Sequence, residues 1–194
     1  MLNKVDKLNK KRCSWCEITD LYRDYHDKEW GRPCHDDCIL FEFLTLEGAQ
    51  AGLSWLTILK RRKNYIKIFR HFNVGIIANF TNAEVERMMN EPGLIRNRAK
   101  IKSTINNAAR FLEIQSEFGS FDKYIWRFVG EKSILNNFHE GDPIPTETEV
   151  SRTMSIDLRK RGFLFVGPTI CYAFMQAIGM VNDHYLECWT RNDK

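Results

Sequence analysis

Glu47 stands where a carboxylate is costly. Leu40, Leu44, Glu47 and Ala51 recur at i, i+4, i+7 and i+11, which is one face of a helix, so the acid projects from an apolar stripe. A carboxylate removed from water without a partner is driven toward its neutral form, so the position demands a cation or several hydrogen-bond donors. A buried ion pair is the ordinary answer. The surrounding residues offer another, because Tyr22, Tyr25 and Trp30 fall at helical spacing in DLYRDYHDKEWG and Trp55 follows Glu47 closely. Aromatic faces combined with a carboxylate make a chamber for a flat cation. Packing in a core is the competing use of the same aromatic stripe.

Two further groupings carry chemistry. His184 and Cys188, four residues apart, share a helical face, and Cys13, Cys16 and His26 lie near the start of the chain; thiols and imidazoles in fours hold tetrahedral zinc. Spacing alone leaves open whether Cys16 or His26 accompanies Cys13, and free core thiols with an ordinary histidine are the alternative. A closed four-ligand site leaves no position for water, so it stabilises a fold rather than catalysing. In LRKRGFLFVGPTICYAFMQ, one helix ends in basic residues at Gly162 and the next begins just after Gly167. Gly162 suits the left-handed position after a helix, and Pro168 suits the first helical turn. Free N–H groups at the start of that second helix, aided by its dipole, suit a phosphate. Such contacts position a nucleic acid without reading its sequence. A hairpin that only packs is the alternative.

The elements that must hold these residues are helical. Apolar positions recur at Ile101, Ile105, Ala108 and Leu112, and again at Ile170, Phe174, Ala177 and Ile178, while candidate turns at 73–75, 91–93 and 140–145 separate segments of helical length. Few stretches alternate as strands do, so the expected fold class is all-α. With 194 residues, 43% hydrophobic and 12% aromatic, the chain can bury a substantial core. The expected organisation is a basic, flexible tail over 1–12 and a single domain over 13–190, whole or in two small lobes. The polar, proline-bearing stretch HEGDPIPTETE precedes the last helices, which are expected to return beside the first ones. The net charge of +4 permits nucleic acid binding without proving it, and basic residues gather at 60–63, 96–102 and 159–161. No apolar run approaches the roughly 20 residues of a membrane span, and the charged start MLNKVDKLNKKR lacks a secretory apolar segment. A cytoplasmic location is expected, where the six cysteines serve as thiols or metal ligands rather than disulfides.

Four strings in order, YHDKEWG, LEGAQAGLSW, PGLIRNRAKI and RGFLFVGPTICYAFMQAIGMVNDH, resemble the bacterial 3-methyladenine DNA glycosylase I family, and the resemblance runs from about Cys13 to Cys188. It implies an all-α helix–hairpin–helix DNA glycosylase fold with a structural zinc held by Cys13, His26, His184 and Cys188, which sets Cys16 aside. It places the base pocket at Glu47, Tyr25 and Trp55, with Trp15, Tyr22 and Trp30 nearby. Gly52 and Leu53 then approach the DNA at the lesion, and Gly162, Gly167 and Thr169 belong to the DNA-binding hairpin. The implied partners are double-stranded DNA with alkylated bases and free 3-methyladenine as product, handled by a monomer with no membrane attachment. The sequence departs from the family pattern before Cys13 and in the closing WTRNDK, and Cys16, Cys34 and Cys38 have no role in it.

Glycosylases of the wider superfamily that also cut the backbone carry a lysine just after the hairpin glycine. Here Gly167 is followed by Pro168 and Thr169, which argues for a monofunctional enzyme that hydrolyses the N-glycosidic bond with water. Asp183 and Glu187 lie where many of those enzymes place an assisting aspartate, and neither is assigned. Glu47 is the candidate catalytic group, expected to select adenine by accepting a hydrogen bond from its exocyclic amine. The competing readings are a non-catalytic DNA-binding module, a zinc-dependent hydrolase with an open metal position, and a glycosylase for another damaged base.

Overall fold

The computed structural model describes residues 10–192. In chain order they form α1 (Asp20–Lys28), α2 (Asp37–Gln50), α3 (Trp55–Leu59), α4 (Arg62–Ile68), α5 (Val74–Ile77), α6 (Asn82–Met89), α7 (Arg98–Phe118), α8 (Phe121–Trp126), β1 (Ile134–Leu135), α9 (Glu149–Lys160), α10 (Pro168–Ala177) and β2 (Val181–Asn182). The all-α expectation is corrected by one small feature: β1 and β2 pair in parallel, with Ile134 opposite Val181. Two-residue strands are too short to display an alternating pattern, so nothing in the sequence announced them. No described helix is long and apolar enough to cross a membrane.

Helix α2 runs through the centre. Every residue from Leu40 through Ala49 is buried, because α3, α7, α8 and α10 all pack on it. Asp36 caps its first turn by accepting from the Ile39 N–H at 3.0 Å. The next residue, Asp37, accepts from the backbone N–H groups of Phe121 and Asp122 at 2.9 and 2.8 Å, which locks the start of α8 to α2. A helix so enclosed must account for its polar side chains one by one. Glu42 does so through Arg62, which also binds Glu29.

In α7 the face read from the sequence is buried at Ile101 and Ala108, but Leu112 is 38% exposed. Phe111 and Ile114 point inward instead, since the buried face of a 3.6-residue helix drifts over six turns. Trp30 lies two residues past the end of α1, so its link to Tyr22 and Tyr25 is not one continuous helix. The Trp30 N–H donates to the Tyr25 carbonyl at 3.1 Å and folds the chain back toward the same side.

Helices α9 and α10 form a hairpin. Gly162 follows α9 at φ +84°, a conformation that any side chain would strain, and Gly167 precedes Pro168 at the first position of α10. Phe165, between them, holds φ +55° without being glycine. Such a backbone costs about 1–3 kcal/mol and persists only where its surroundings impose it. The imposition is visible: Asn107 of α7 accepts from the Leu164 N–H and donates to the Leu164 carbonyl, both at 2.8 Å, and Ser155 donates to the Val166 carbonyl at 2.6 Å. Helix α10 then packs on α2, and the segment after it reaches the N-terminal residues, so the two ends of the chain are neighbours as expected.

Of the expected basic tail, residues 1–9 lie outside the described residues. Residues 10–12 are anchored: Lys10 lies over the Trp189 ring, the Lys11 carbonyl accepts from the Trp189 N–H, and Arg12 pairs with Asp27.

Candidate active site

A cavity of about 240 Å³ opens between α1, α2, α3 and α10. Trp15, Tyr22, Tyr25, Trp30 and Trp55 supply its aromatic walls, and Glu47 and Gln50 project into it from α2. The aromatic residues and the acid singled out from the sequence therefore share one chamber. Ile144, Ala173 and Gln176 complete it and were not singled out. Ala173 and Gln176 stand three apart on α10, and Gln50 stands three after Glu47; those spacings were the available signal.

Tyr25 and Trp55 lie with ring centroids 5.4 Å apart, and Trp15 makes edge contacts with Tyr22 at 5.5 Å and Trp30 at 4.9 Å. The start of α3 is fixed twice over. Ser54 accepts from the Thr57 N–H, and the Tyr22 hydroxyl accepts from the Leu56 N–H at 3.1 Å, which holds Trp55 against the chamber. Trp55 Nε1 is buried and has no protein acceptor among the described residues.

Glu47 is 4% exposed. Unlike Glu42 one turn earlier, it has no ion pair or hydrogen bond among the described residues, and burial alone pushes its acid up to about 8. Burial therefore favours the neutral acid at pH 7. Burial also raises the Tyr25 phenol, with the nearby Glu47 charge adding to the effect. The chamber thus holds a group that ionises readily only when a positive charge arrives.

A second, smaller pocket of about 170 Å³ joins the chamber through shared Glu47, Gln50 and Ala173, and extends past Gly52, Leu53, Thr169 and Ile170. Leu53 is 40% exposed at its rim, and Thr169 is exposed at the start of α10. Gly52 holds φ +77°, so the turn after α2 depends on glycine. Lys100, reaching from α7, donates to the carbonyls of Ala49 and Ala51 at 2.8 and 2.6 Å and so fixes the end of α2 just before this loop. Gly162 and Gly167 bracket the hairpin turn and do not line the second pocket.

Behind Trp15 and Trp30, ligand atoms of Cys13, His26, His184 and Cys188 all lie within 4.8 Å of one another, and all four residues are buried. His184 Nδ1 and His26 Nε2 face each other at 3.2 Å. Their outer nitrogens are committed as donors: His26 Nδ1 to Asp27 at 2.8 Å, and His184 Nε2 to the Trp30 carbonyl at 2.9 Å. Metal-ligating histidines are characteristically held this way, which turns their lone pairs inward. Two thiols and two imidazoles suit a tetrahedral metal ion. Cys16 is buried but outside this group of four, Cys34 is half-buried and Cys38 is exposed.

Asp183 does not reach the chamber. It is fully buried and accepts from Asn136 Nδ2 at 2.7 Å, the Tyr172 hydroxyl at 2.7 Å and Gln176 Nε2 at 2.8 Å. Glu187 is exposed and bonded to His139 at 2.6 Å. Neither carboxylate lines the chamber or the second pocket.

Fold and cavity together define a mostly helical protein with an aromatic chamber around one buried acid, beside a helical hairpin. Residues 15–192 match the family model described as methyladenine glycosylase, and the chain belongs to that family. It is 46% identical over 177 residues to the DNA-3-methyladenine glycosylase of Haemophilus influenzae, spanning 91% of this chain and 96% of that one. With DNA-3-methyladenine glycosylase 1 of Escherichia coli it shares 44% over 178 residues, 92% of this chain and 95% of the relative. A crystal structure of a 3-methyladenine DNA glycosylase I superposes with a TM-score of 0.90 at 45% identity, covering 92% of this chain and 98% of that one. A Staphylococcus aureus 3-methyladenine DNA glycosylase I, solved to explain recognition of 3-methyladenine, gives a TM-score of 0.90 at 33% identity over 93% of this chain and 96% of its own.

Proposed function

We propose that this chain is a monofunctional DNA glycosylase that extrudes 3-methyladenine from alkylated double-stranded DNA and hydrolyses its N-glycosidic bond. The observation that carries the reading is Glu47, a nearly inaccessible acid inside an aromatic chamber, with no ion pair or hydrogen bond among the described residues. A neutral base offers such a group little. A cationic base supplies the missing charge, pulls the acid into its ionised form and stacks on the surrounding rings.

The substrate brings much of its own activation, because the 3-methylated base leaves the sugar as a neutral molecule. The protein's part is then to take the nucleotide out of the stack, at a cost of a few kcal/mol, and to hold it in reactive geometry. Leu53, exposed on the loop that Lys100 supports, is placed to fill the vacated stack. The free N–H groups at the start of α10 are placed to hold a backbone phosphate, which gives the hairpin of Gly162, Gly167 and Thr169 its DNA-binding role. Glu47 accepts from the exocyclic amine of the base and remains bonded as the charge disappears, so that it does not hold the substrate more tightly than the transition state. No lysine follows Gly167, which supports hydrolysis by water without a covalent sugar adduct.

In the same reading Cys13, His26, His184 and Cys188 hold a structural zinc. Its chemistry is to cross-link the two chain ends, and with four protein ligands it has no open position for a reacting group. Residues 13–190 act as one domain and as a monomer in the cytoplasm, a compartment in which cysteines serve as thiols and metal ligands. The test is chromatography of bases released from methylated duplex DNA. A dominant 3-methyladenine peak is expected, and its absence under conditions where a known glycosylase releases it overturns the proposal.

A further inference from the structure

Gln176 faces the chamber from α10, across from Glu47 on α2, and its amide is not free to choose its orientation. Asp183 settles the matter. That carboxylate accepts from Asn136, Tyr172 and Gln176, and a carboxylate so placed must have the amide nitrogen of Gln176 turned toward it. Among the described residues nothing donates to the side-chain amide oxygen, Gln176 Oε1. An amide clamped through its nitrogen presents that oxygen as its remaining strong acceptor.

From this geometry we infer that Gln176 is a specificity-determining residue of the base chamber, its carbonyl oxygen accepting from an N–H of the bound adenine. Asp183 is then a positioning residue that fixes the polarity of the Gln176 amide. The inference rests on the proposed glycosylase reading and deepens it. Two acceptors converge on the chamber, Glu47 and the Gln176 oxygen. 3-Methyladenine carries an exocyclic amine with two N–H donors, whereas 3-methylguanine carries a carbonyl oxygen at the equivalent ring position. At the Gln176 oxygen a guanine carbonyl would set acceptor against acceptor and leave both unpaired, so the wall that welcomes adenine disfavours guanine.

The wall that makes this choice comes from far along the chain. Asn136 follows β1 and Asp183 follows β2, so the two-residue strand pair brings together a clamp whose members are 47 residues apart in sequence. This gives the small sheet a task that its size would not suggest.

The test measures binding of free 3-methyladenine and free 3-methylguanine by quenching of the chamber tryptophans, in the wild type, Gln176→Met and Asp183→Asn. Gln176→Met keeps the side-chain length and removes the acceptor; it is expected to bind 3-methyladenine about five- to tenfold more weakly, the worth of one hydrogen bond, and to lose a similar factor of preference over 3-methylguanine. In Asp183→Asn the clamp no longer dictates which end of the amide turns outward, and the preference is expected to fall while thermal unfolding stays cooperative. A Gln176→Met protein that retains the full preference overturns the inference, as does one that loses affinity for both bases equally. A wild type that binds 3-methyladenine but not selectively overturns the inference alone; a wild type that binds neither base overturns the glycosylase reading with it.

Discussion

Replacing Glu47 with glutamine preserves the shape of the side chain and removes its ionisation, so the variant isolates what the buried charge costs the fold. In the folded protein the acid titrates at about 8, against an ordinary value of 4.5, because burial penalises the carboxylate. The folded state therefore holds this proton more tightly than the unfolded state. Stability is highest below pH 4.5, where both states are protonated, and declines as pH rises from 4.5 to 8 and the unfolded chain alone ionises. Above pH 8 the full gap is lost. At about 1.4 kcal/mol per pH unit the loss is roughly 5 kcal/mol there and about 3 kcal/mol at pH 7. A neutral amide and a neutral acid bury similar polar groups, so their desolvation largely cancels. Glu47→Gln is accordingly expected to match the wild type near pH 4 and to exceed it by about 3 kcal/mol at pH 7, or roughly 6–12 °C in Tm for a chain of this size. Urea unfolding of both proteins at a series of pH values between 4 and 9 measures the difference directly. A stability difference that does not change with pH would refute the burial argument, and so would a wild type more stable than the variant at pH 8.

The zinc proposal predicts metal in equimolar amount after purification, read by elemental analysis, and a fall in Tm on the order of 10 °C after chelation, with Cys188→Ser reproducing both losses. Lys100→Met removes the ammonium that joins the Ala49 and Ala51 carbonyls, so excision from duplex DNA should fall about tenfold while affinity for free 3-methyladenine stays within about twofold. Parallel loss of both activities would place Lys100 in the general scaffold instead of the loop that meets DNA.

What the sequence disclosed was local. Gly162, Gly167 and Pro168 announced the hairpin because left-handed turns and first helical turns have few acceptable residues. The apolar stripe around Glu47 announced a buried acid because period and polarity conflicted there. Spacing paired His184 with Cys188 on a helical face that does not form, since both follow β2 in non-helical backbone and meet across a turn; the resemblance, not spacing, chose His26 over Cys16. The misses are long-range. Nothing near Ile144 marks it as a chamber wall, and the Ala173–Gln176 spacing marks only a shared helix face; their role depends on α10 and the preceding connection returning to α1 and α2. Asp183 was noticed for its region and not for its partners; Tyr172 and Gln176 of α10 and Asn136 after β1 make it a clamp, and no local pattern encodes such a meeting. Leu112 shows the converse error, where a regular pattern was carried one position too far along α7.

The junction of the chain's ends has a bearing on how the protein comes into being. Trp30 packs its ring 4.6 Å from His184, and the Trp30 carbonyl is held by the same imidazole. The chamber's N-terminal wall is thus buttressed by a residue made 154 positions after it. Helices α1 and α2 can form early in synthesis, yet the pocket they contribute to stays open on one side until His184 and Cys188 arrive to close the cluster. Chains that stop short of His184 should consequently be inert toward alkylated bases, although α1, α2 and α10 are all present in them.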